Sequence, residues 1–321
     1  MFSLGHWAVK KMRLYRQKRQ RGMADGITGI APIYKVSLVG KVDLIGTGFW
    51  ITEKGHLITA WHVIADNVGD DGEDRGPIYA IQTYADRRAV PRVLRKSCQH
   101  PLYDLALSET LGPGGYDANP TWTFSMTLIE PAVGDFVGTY SFLSFDQKFD
   151  GEKHEGISTD HFHGTLGIPD LGLIYQLRFV ARINRGGVLE VFPEGRDRVI
   201  MPFPCFRSDI PIYGANSGGP VFNRAGQVCG VNCTSYEGQD ISFHMPLKGI
   251  LELWARDIEL IPEDPIPRNR SILEIGFADR ICFDPPLSKI FMPFWSRVLI
   301  QPFQWLGYLI AWIRWNITTK H

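Results

Sequence analysis

Short alternating apolar runs dominate the chain between about residue 28 and residue 244. Clusters of Gly, Pro and Asp separate these runs, which read IAPIYKVSL, LIGTGFWIT, HLITAWHV, FVGTYSFL, GLIYQLRFVARI, VLEVF and QVCGVNC. Many short strands at such spacing are typical of an all-β sandwich or barrel. Well over 200 residues of this pattern without alternating helices favour two packed barrels over one sheet with crossover helices.

The two ends of the chain differ from this strand-rich region. Apolar residues at near-helical spacing in segment 245–260 predict a helix that closes a globular domain spanning 27–260. A breaker-rich linker, 261–288, and an apolar, Trp-rich tail, 289–321, are expected to follow. Residues 1–26 form a basic arm with seven Lys and Arg and no acid between positions 10 and 21, although the formal net charge of the chain is zero. We expect that arm to be solvated.

The cysteines do not resemble the disulfide framework of a small secreted domain. There are five, an odd and scattered set: Cys98, Cys205, Cys229, Cys233 and Cys282. Cys229 and Cys233 fall on one predicted strand, which puts their Cα atoms roughly 13 Å apart, beyond disulfide reach. The N-terminus lacks the apolar core of a signal peptide. We therefore expect reduced thiols and a cytoplasmic location.

A serine set among small residues is the strongest chemical signal. In GANSGGPVFNRAGQVCGV, residues 214–231, Ser217 lies between two apolar runs. An acyl-transfer serine needs two backbone N–H groups that point at one spot, and small residues let a substrate carbonyl approach the backbone. The amides of Ala215 and Ser217 are the candidate donors. Taken alone, a Ser-Gly-Gly-Pro sequence is equally compatible with a plain turn.

A histidine and an aspartate precede this serine in suitable surroundings. His62 ends the apolar run HLITAWHV, where an imidazole with a pKa near 6.5 can exchange protons at neutral pH. Asp104, in HPLYDLALSE, has apolar neighbours, and a buried carboxylate needs a partner such as a histidine N–H. Each residue alone could equally be a core histidine or a helix cap. The order His, Asp, Ser is far more specific than any one of them.

These motifs resemble the chymotrypsin/trypsin family of serine endopeptidases, especially its bacterial trypsin-like members. The resemblance rests on TAWHV, DLAL and NSGGPV in that order, on GTGFWI and on ISFHMPL, and it covers about residues 28–250. It implies a double six-stranded β-barrel with His62 and Asp104 from the first barrel and Ser217 from the second. It also implies an acyl-enzyme mechanism with a polypeptide substrate, and neither a cofactor nor a metal.

Two positions depart from the family pattern. Ala215 stands where most members have glycine, so the oxyanion peptide must adopt a conformation that a Cβ tolerates. Asn216 replaces the aspartate that pairs with a new N-terminus in animal digestive enzymes, which implies assembly without zymogen cleavage.

The pocket for the P1 residue is also implied by the resemblance. Its floor should come from Pro211 and Ile212, and its walls from Cys233, Thr234 and Ser235. No acid lies at this floor, so we expect a small or apolar P1 side chain rather than Arg or Lys.

Other ionisable clusters have weaker claims to function. Asp66, Asp70, Asp71 and Asp74 lie in a polar stretch that is typical of an exposed loop, and their spacing does not match an EF-hand. His161 and His163 would share one strand face, but no third zinc ligand accompanies them. We expect no metal site.

The tail is apolar nearly all round if helical. Residues 289–317 hold four of the nine tryptophans, and no charge lies between Arg297 and Arg314. This stretch is shorter than a bilayer span and contains Pro302. We expect contact with a membrane surface, aided by the basic arm, while packing on the barrels or on an oligomer partner is the alternative. Nucleic acid is not an expected partner, because aromatic residues do not alternate with the basic ones in the arm.

Two rival functions remain at this point. A catalytically silent barrel could serve as a membrane-tethered binding module if the oxyanion peptide were collapsed. An esterase of the α/β-hydrolase type would need a G-x-S-x-G elbow and a chain order in which the serine comes first, whereas here it comes last.

Overall fold

The computed structural model describes the two barrels and part of the segment that follows them. The described residues are 28–37, 40–52, 55–67, 76–84, 88–112, 123–144, 159–168, 173–235, 241–255, 270–277, 281–287 and 290. The basic arm and nearly all of the apolar tail lie outside these residues. Within them, no helix is long and apolar enough to cross a membrane.

Six antiparallel strands close into the first barrel, in the order β5-β4-β1-β2-β3-β6 with β6 returning to β5. The strands are β1 (Ile30–Val36), β2 (Val42–Trp50), β3 (His56–Thr59), β4 (Ile78–Thr83), β5 (Arg88–Gln99) and β6 (Ala106–Leu111). Alternation along the strands separates two buried layers, since Phe49 and Ile58 join one apolar cluster while their neighbours Trp50 and Leu57 join another.

A second antiparallel barrel follows, in the order β10-β13-β12-β11-β7-β9 with β9 returning to β10. Its strands are β7 (Phe136–Ser144), β9 (Leu173–Phe192), β10 (Cys205–Ser208), β11 (Pro220–Asn223), β12 (Val228–Ser235) and β13 (Ser242–Pro246). The remaining strand, β8 (Thr159–Ile168), pairs with β9 and also with β5 of the first barrel. The predicted double six-stranded β-barrel is therefore confirmed.

Up to residue 255, the end of the domain differs from the predicted closing helix over 245–260, whose last five residues lie outside the described part of the chain. Met245 and Pro246 belong to β13, a 3-10 helix covers Leu247–Glu252, and Trp254–Ala255 forms strand β14. Leu253 ends the helix in an extended conformation because the chain then pairs with β15, Arg270–Ser271. Near-helical apolar spacing reflected burial against the barrels rather than a long helix.

The segment 261–288, interpreted as a linker, contains ordered structure. After helix α1 (Trp61–Ala65) in the first barrel, helix α2 spans Ile272–Phe277, and both Ile272 and Phe283 are buried in the main apolar cluster. The backbone of Met126 bonds to Cys282 and Asp284 on either side of Phe283. Residues 270–277 and 281–287 therefore belong to the globular domain.

Candidate active site

His62 is presented at the edge of the first barrel by a short helix. Strand β3 ends at Thr59, Ala60 is extended, and helix α1 begins at Trp61 and ends at Ala65. Val63 and Ile64 anchor the helix by burial, whereas 38% of the His62 side chain is exposed. The anchored helix thus holds the imidazole in place while leaving it accessible.

Asp104 orients that imidazole through two hydrogen bonds. Its Oδ2 lies 2.6 Å from Nδ1 of His62, and its Oδ1 accepts the backbone N–H of His62 at 2.9 Å. The carbonyl of Asp104 also accepts the N–H of Trp61 at 3.1 Å. A carboxylate on Nδ1 favours the tautomer in which Nδ1 carries the proton and Nε2 keeps its lone pair.

The charge environment makes His62 a stronger base. Burial lowers its pKa, but the hydrogen bond and negative charge of Asp104, with a contribution from Asp66, outweigh this and leave the pKa raised above 6.5. A neutral imidazole is needed to accept a proton, so the basic form develops only as the pH rises past this raised value.

The pH dependence of kcat/KM should reflect this shift. We expect activity to increase with pH through an apparent pKa above 6.5, measured with a neutral peptide substrate. Asp66→Asn removes one of the negative charges that raise the pKa of His62, so the increase in kcat/KM should occur at lower pH. The maximal kcat/KM at high pH should stay within about threefold of wild type. An acidic limb centred at or below 6.5 in the wild-type protein would contradict the assignment.

Ser217 lies in a tight loop that reaches β11. A 3-10 helix, Gly214–Asn216, precedes it, and Gly218 follows with a φ of +84°. A Cβ on Gly218 would collide with Thr59 Oγ1 and the carbonyl of Thr47, both on the first barrel. Glycine is therefore required here both for backbone conformation and for close packing of the two barrels.

The hydroxyl of Ser217 donates to the carbonyl oxygen of Cys233 at 2.9 Å. Among the described residues, no hydrogen bond joins Ser217 to His62. Cys233 nevertheless connects the two halves of the site, because its thiol lies 3.6 Å from Oδ2 of Asp104. Burial, together with the charge of Asp104, raises the pKa of this thiol well above its usual value, so it stays protonated and donates to the carboxylate.

The backbone N–H groups around Ser217 differ in their hydrogen-bond partners. The N–H groups of Asn216, Gly218 and Gly219 donate to backbone carbonyls. Those of Ala215 and Ser217 donate to no described residue outside the 3-10 helix Gly214–Asn216. Their role as oxyanion donors stays a prediction from the sequence.

The predicted pocket floor is tied down at three consecutive carbonyl groups. Ser242 donates to the carbonyl of Ile210 at 2.8 Å, Asn184 to that of Pro211 at 2.9 Å, and Ser235 to that of Ile212 at 3.0 Å. These hydrogen bonds hold the backbone of residues 210–212 in one conformation. The wall residues Cys233, Thr234 and Ser235 end strand β12 beside it.

A second histidine–serine contact lies inside the second barrel. His244 Nε2 is 2.7 Å from Ser208 Oγ, while its Nδ1 is 2.9 Å from the amide oxygen of Asn232. His244 and Ser208 are completely buried, so substrate cannot reach them. An amide in place of a carboxylate also leaves no acid to stabilise a protonated ring. We assign this pair to the core.

His244 should make folding sensitive to acid. Burial lowers its pKa from 6.5 to about 3, so only the unfolded state binds a proton between these values. As the pH falls from 6.5 toward 3, the free energy of unfolding should drop by up to about 1.4 kcal/mol per pH unit from this group. Urea unfolding of wild type and His244→Gln across this window measures it. Parallel pH profiles would contradict the neutral, buried state of this histidine.

Several contributing residues carry no sequence signal of their own. Thr47 and Asn232 bond to the serine loop, residues 213–219, and the thiol of Cys233, which the resemblance placed in the pocket wall, faces Asp104. Only the position of Thr47 inside GTGFWI could have drawn attention to it. Among the described residues, no group of three His, Cys, Asp or Glu could hold a metal ion. Strand β8 carries His161 and His163, whose side chains are not described.

Comparison with known proteins identifies the domain. The family model described as "Trypsin-like peptidase domain" matches residues 46–231, more than half of the chain. The match contains His62, Asp104 and Ser217. No curated protein matches the sequence significantly.

Three solved structures are similar at low identity. The crystal structure of Deg5 shares 17% identity over 73% of this chain and 90% of that chain, with a TM-score of 0.47. A serine endoprotease from Yersinia pestis shares 20% over 72% and 62%, with a TM-score of 0.40. The HtrA-type protease AlgW with a tripeptide shares 17% over 70% and 58%, with a TM-score of 0.45. The similarity thus spans less than two thirds of the last two chains, and at these values it carries no information about substrate.

Proposed function

Because the chain belongs to the trypsin-like peptidase family and is a serine endopeptidase, we propose that it hydrolyses peptide bonds through an acyl-enzyme on Ser217. The observation that carries this proposal is the 2.6 Å contact between His62 Nδ1 and Asp104 Oδ2, with Cys233 bonded to both Asp104 and Ser217. The contact supports a basic Nε2 on the side of the imidazole away from Asp104.

The first half of the reaction acylates the serine. Rotation about the Cα–Cβ bond of Ser217 takes its hydroxyl from the Cys233 carbonyl to Nε2 of His62. Oγ attacks the scissile carbonyl carbon as its proton passes to Nε2, and the amides of Ala215 and Ser217 stabilise the resulting oxyanion. The tetrahedral intermediate collapses when the C–N bond breaks, and Nε2 returns the proton to the leaving amine.

The second half regenerates the enzyme. Water attacks the ester carbon and gives a proton to Nε2, and the bond from carbon to Oγ then breaks as His62 returns the proton to Ser217. The products are a peptide carboxylate and the amine already released. Asp104 holds the tautomer and stabilises the protonated ring throughout, without itself taking the proton.

A small or apolar P1 side chain fits the pocket residues. The segments 210–213 and 233–235 carry no charged side chain, and the carbonyls of the floor each already accept one hydrogen bond. A buried cation at P1 would therefore find no counter-charge there. Cleavage of a peptide library, with cut sites read by mass spectrometry, tests this preference.

Labelling with a serine-directed fluorophosphonate tests the chemistry itself. We expect one adduct, located on the peptide that contains Ser217, and its loss in His62→Ala, since the base is needed for nucleophilic attack. Heat-unfolded wild type serves as the control for non-specific labelling. A folded protein that does not label and does not cleave peptides would favour the rival, a silent barrel that acts as a binding module.

Membrane contact through residues 289–317 and the basic arm is part of this proposal. It is supported by the aromatic sequence of the tail, which has no charge between Arg297 and Arg314, and by the seven basic residues of the arm. We expect the full chain to float with anionic vesicles and a chain ending at residue 288 to float less. Equal flotation of the two would remove the tail from the proposal and favour its packing on protein.

A further inference from the structure

Thr47 of the first barrel makes two hydrogen bonds to the serine loop, residues 213–219, of the second barrel. Its N–H donates to the carbonyl of Ser217 at 2.9 Å, and its hydroxyl donates to the carbonyl of Ala215 at 2.7 Å. Thr47 is completely buried, and its own carbonyl accepts the hydroxyl of Thr59 at 2.7 Å. It is therefore itself fixed by the neighbouring strand β3.

Asn232 holds the other side of the same loop. Its side-chain N–H donates to the carbonyl of Asn216 at 3.2 Å, its backbone N–H donates to that of Gly219 at 2.8 Å, and its carbonyl accepts the N–H of Gly218 at 2.8 Å. Thr47 from the first barrel and Asn232 from the second barrel thus bind the loop carbonyls on either side of the nucleophile.

This arrangement fixes peptide groups at or beside the amides of Ala215 and Ser217. A peptide group is planar, so holding the carbonyl of Asn216 also sets the direction of the Ser217 N–H. The group between Ala215 and Asn216 is held at both ends, by the Thr47 hydroxyl and by the bond from the Asn216 N–H to Tyr213 at 2.8 Å. Among the described residues, Thr47 is the sole donor to the Ala215 carbonyl.

We propose that the Thr47 hydroxyl is a positioning group for the oxyanion hole, which keeps the backbone at Ala215 in the conformation that presents its N–H to substrate. The inference rests on the proposed acyl transfer at Ser217. Since Thr47 belongs to the first barrel and Ala215 to the second, the hole is complete only while the two barrels are docked. Thr47 itself does not touch the reacting atoms.

Thr47→Val tests the hydroxyl with little change in shape, and it keeps the backbone bond to Ser217. Removing an oxyanion donor itself costs about 10²–10³ in kcat, so loss of a group that positions one should lower kcat by about 10- to 100-fold. KM should stay within about threefold, and the inhibition constant of a peptide boronate should rise in parallel with the loss of kcat/KM. Thr47→Ser restores a hydroxyl and should recover most of the activity.

Thr110→Val is the matched control. Thr110 is a buried threonine of the same barrel, away from the serine loop. Its hydroxyl donates to the carbonyl of Gly55 at 2.6 Å and accepts the Nε–H of buried Arg92 at 2.9 Å. Thr110→Val should therefore lose at least as much stability as Thr47→Val but keep wild-type kcat. Circular dichroism and thermal unfolding check the fold of each variant, and Thr47→Ala takes the place of Thr47→Val if the valine does not fold.

The outcomes separate this inference from the function on which it rests. A folded Thr47→Val protein with kcat within twofold of wild type would overturn the positioning role while leaving the peptidase intact. An equal loss of kcat in Thr110→Val, or equally weakened binding of a product peptide and the boronate, would reduce Thr47 to a structural residue. A wild-type protein inert to both fluorophosphonate and peptides would overturn the peptidase mechanism first.

Discussion

Replacing Ser217 by alanine is expected to lower kcat by a factor on the order of 10⁵ to 10⁶ and to abolish fluorophosphonate labelling. The change removes the attacking oxygen, and with it the only route to an acyl-enzyme. The fold should persist, because among the described residues the hydroxyl makes one hydrogen bond, to Cys233, and the Ser217 carbonyl remains bound to Thr47. Steady-state hydrolysis of a peptide that carries a fluorescent leaving group measures the loss.

Ser208→Ala is the matched control for that experiment. Ser208 is also a buried serine of the second barrel, and its hydroxyl also lies at a histidine, His244. We expect it to lose about 1–3 kcal/mol of stability, since it leaves polar groups of the buried network unpaired, and to keep kcat within about tenfold. The opposite result, an inactive Ser208→Ala protein and an active Ser217→Ala protein, would assign the catalytic centre to the core of the second barrel.

Asp104→Asn should lower kcat by a factor on the order of 10⁴ near neutral pH. Both carboxylate oxygens are in use, Oδ1 by the backbone N–H of His62 and Oδ2 by its Nδ1. If the amide oxygen of the asparagine keeps the backbone bond, its NH₂ group faces Nδ1. The ring must then accept at Nδ1 and carry its proton on Nε2, where it cannot take the proton of Ser217.

The exposed acid Asp66 provides the comparison for Asp104. Its charge also raises the pKa of His62, but no hydrogen bond to the ring accompanies it. Asp66→Asn should therefore displace the pH profile and leave the plateau rate nearly unchanged, whereas Asp104→Asn should lower the plateau itself. An Asp104→Asn protein with the same fold as wild type and a kcat within tenfold of it would exclude Asp104 from the mechanism.

Local sequence was sufficient for the strands and for the residue types of the site. Alternation over 28–244 predicted the barrels because each strand buries alternate side chains, a property of neighbouring residues. The position of His62 is also determined locally, because strand β3 ends shortly before it. Glycine at position 218 is determined locally as well, because the backbone there has a positive φ. The family resemblance added the chain order of the three catalytic candidates.

Tertiary structure decided what depends on contacts between distant residues. The hydroxyl of Thr47 meets a carbonyl 168 positions later in the chain, and no local pattern encodes this, because it exists only when β2 packs against the serine loop. Within the helix expected over 245–260, residues 247–252 form a 3-10 helix and residues 254–255 a strand, since pairing with Arg270–Ser271 outweighs local helical spacing. The hydrogen bond from the Ser217 side chain to Cys233 and the neutral state of His244 also depend on packing between distant parts of the chain. Hydrogen-bond partners and desolvation are properties of the packed interior, whereas strand period and backbone conformation are properties of the chain.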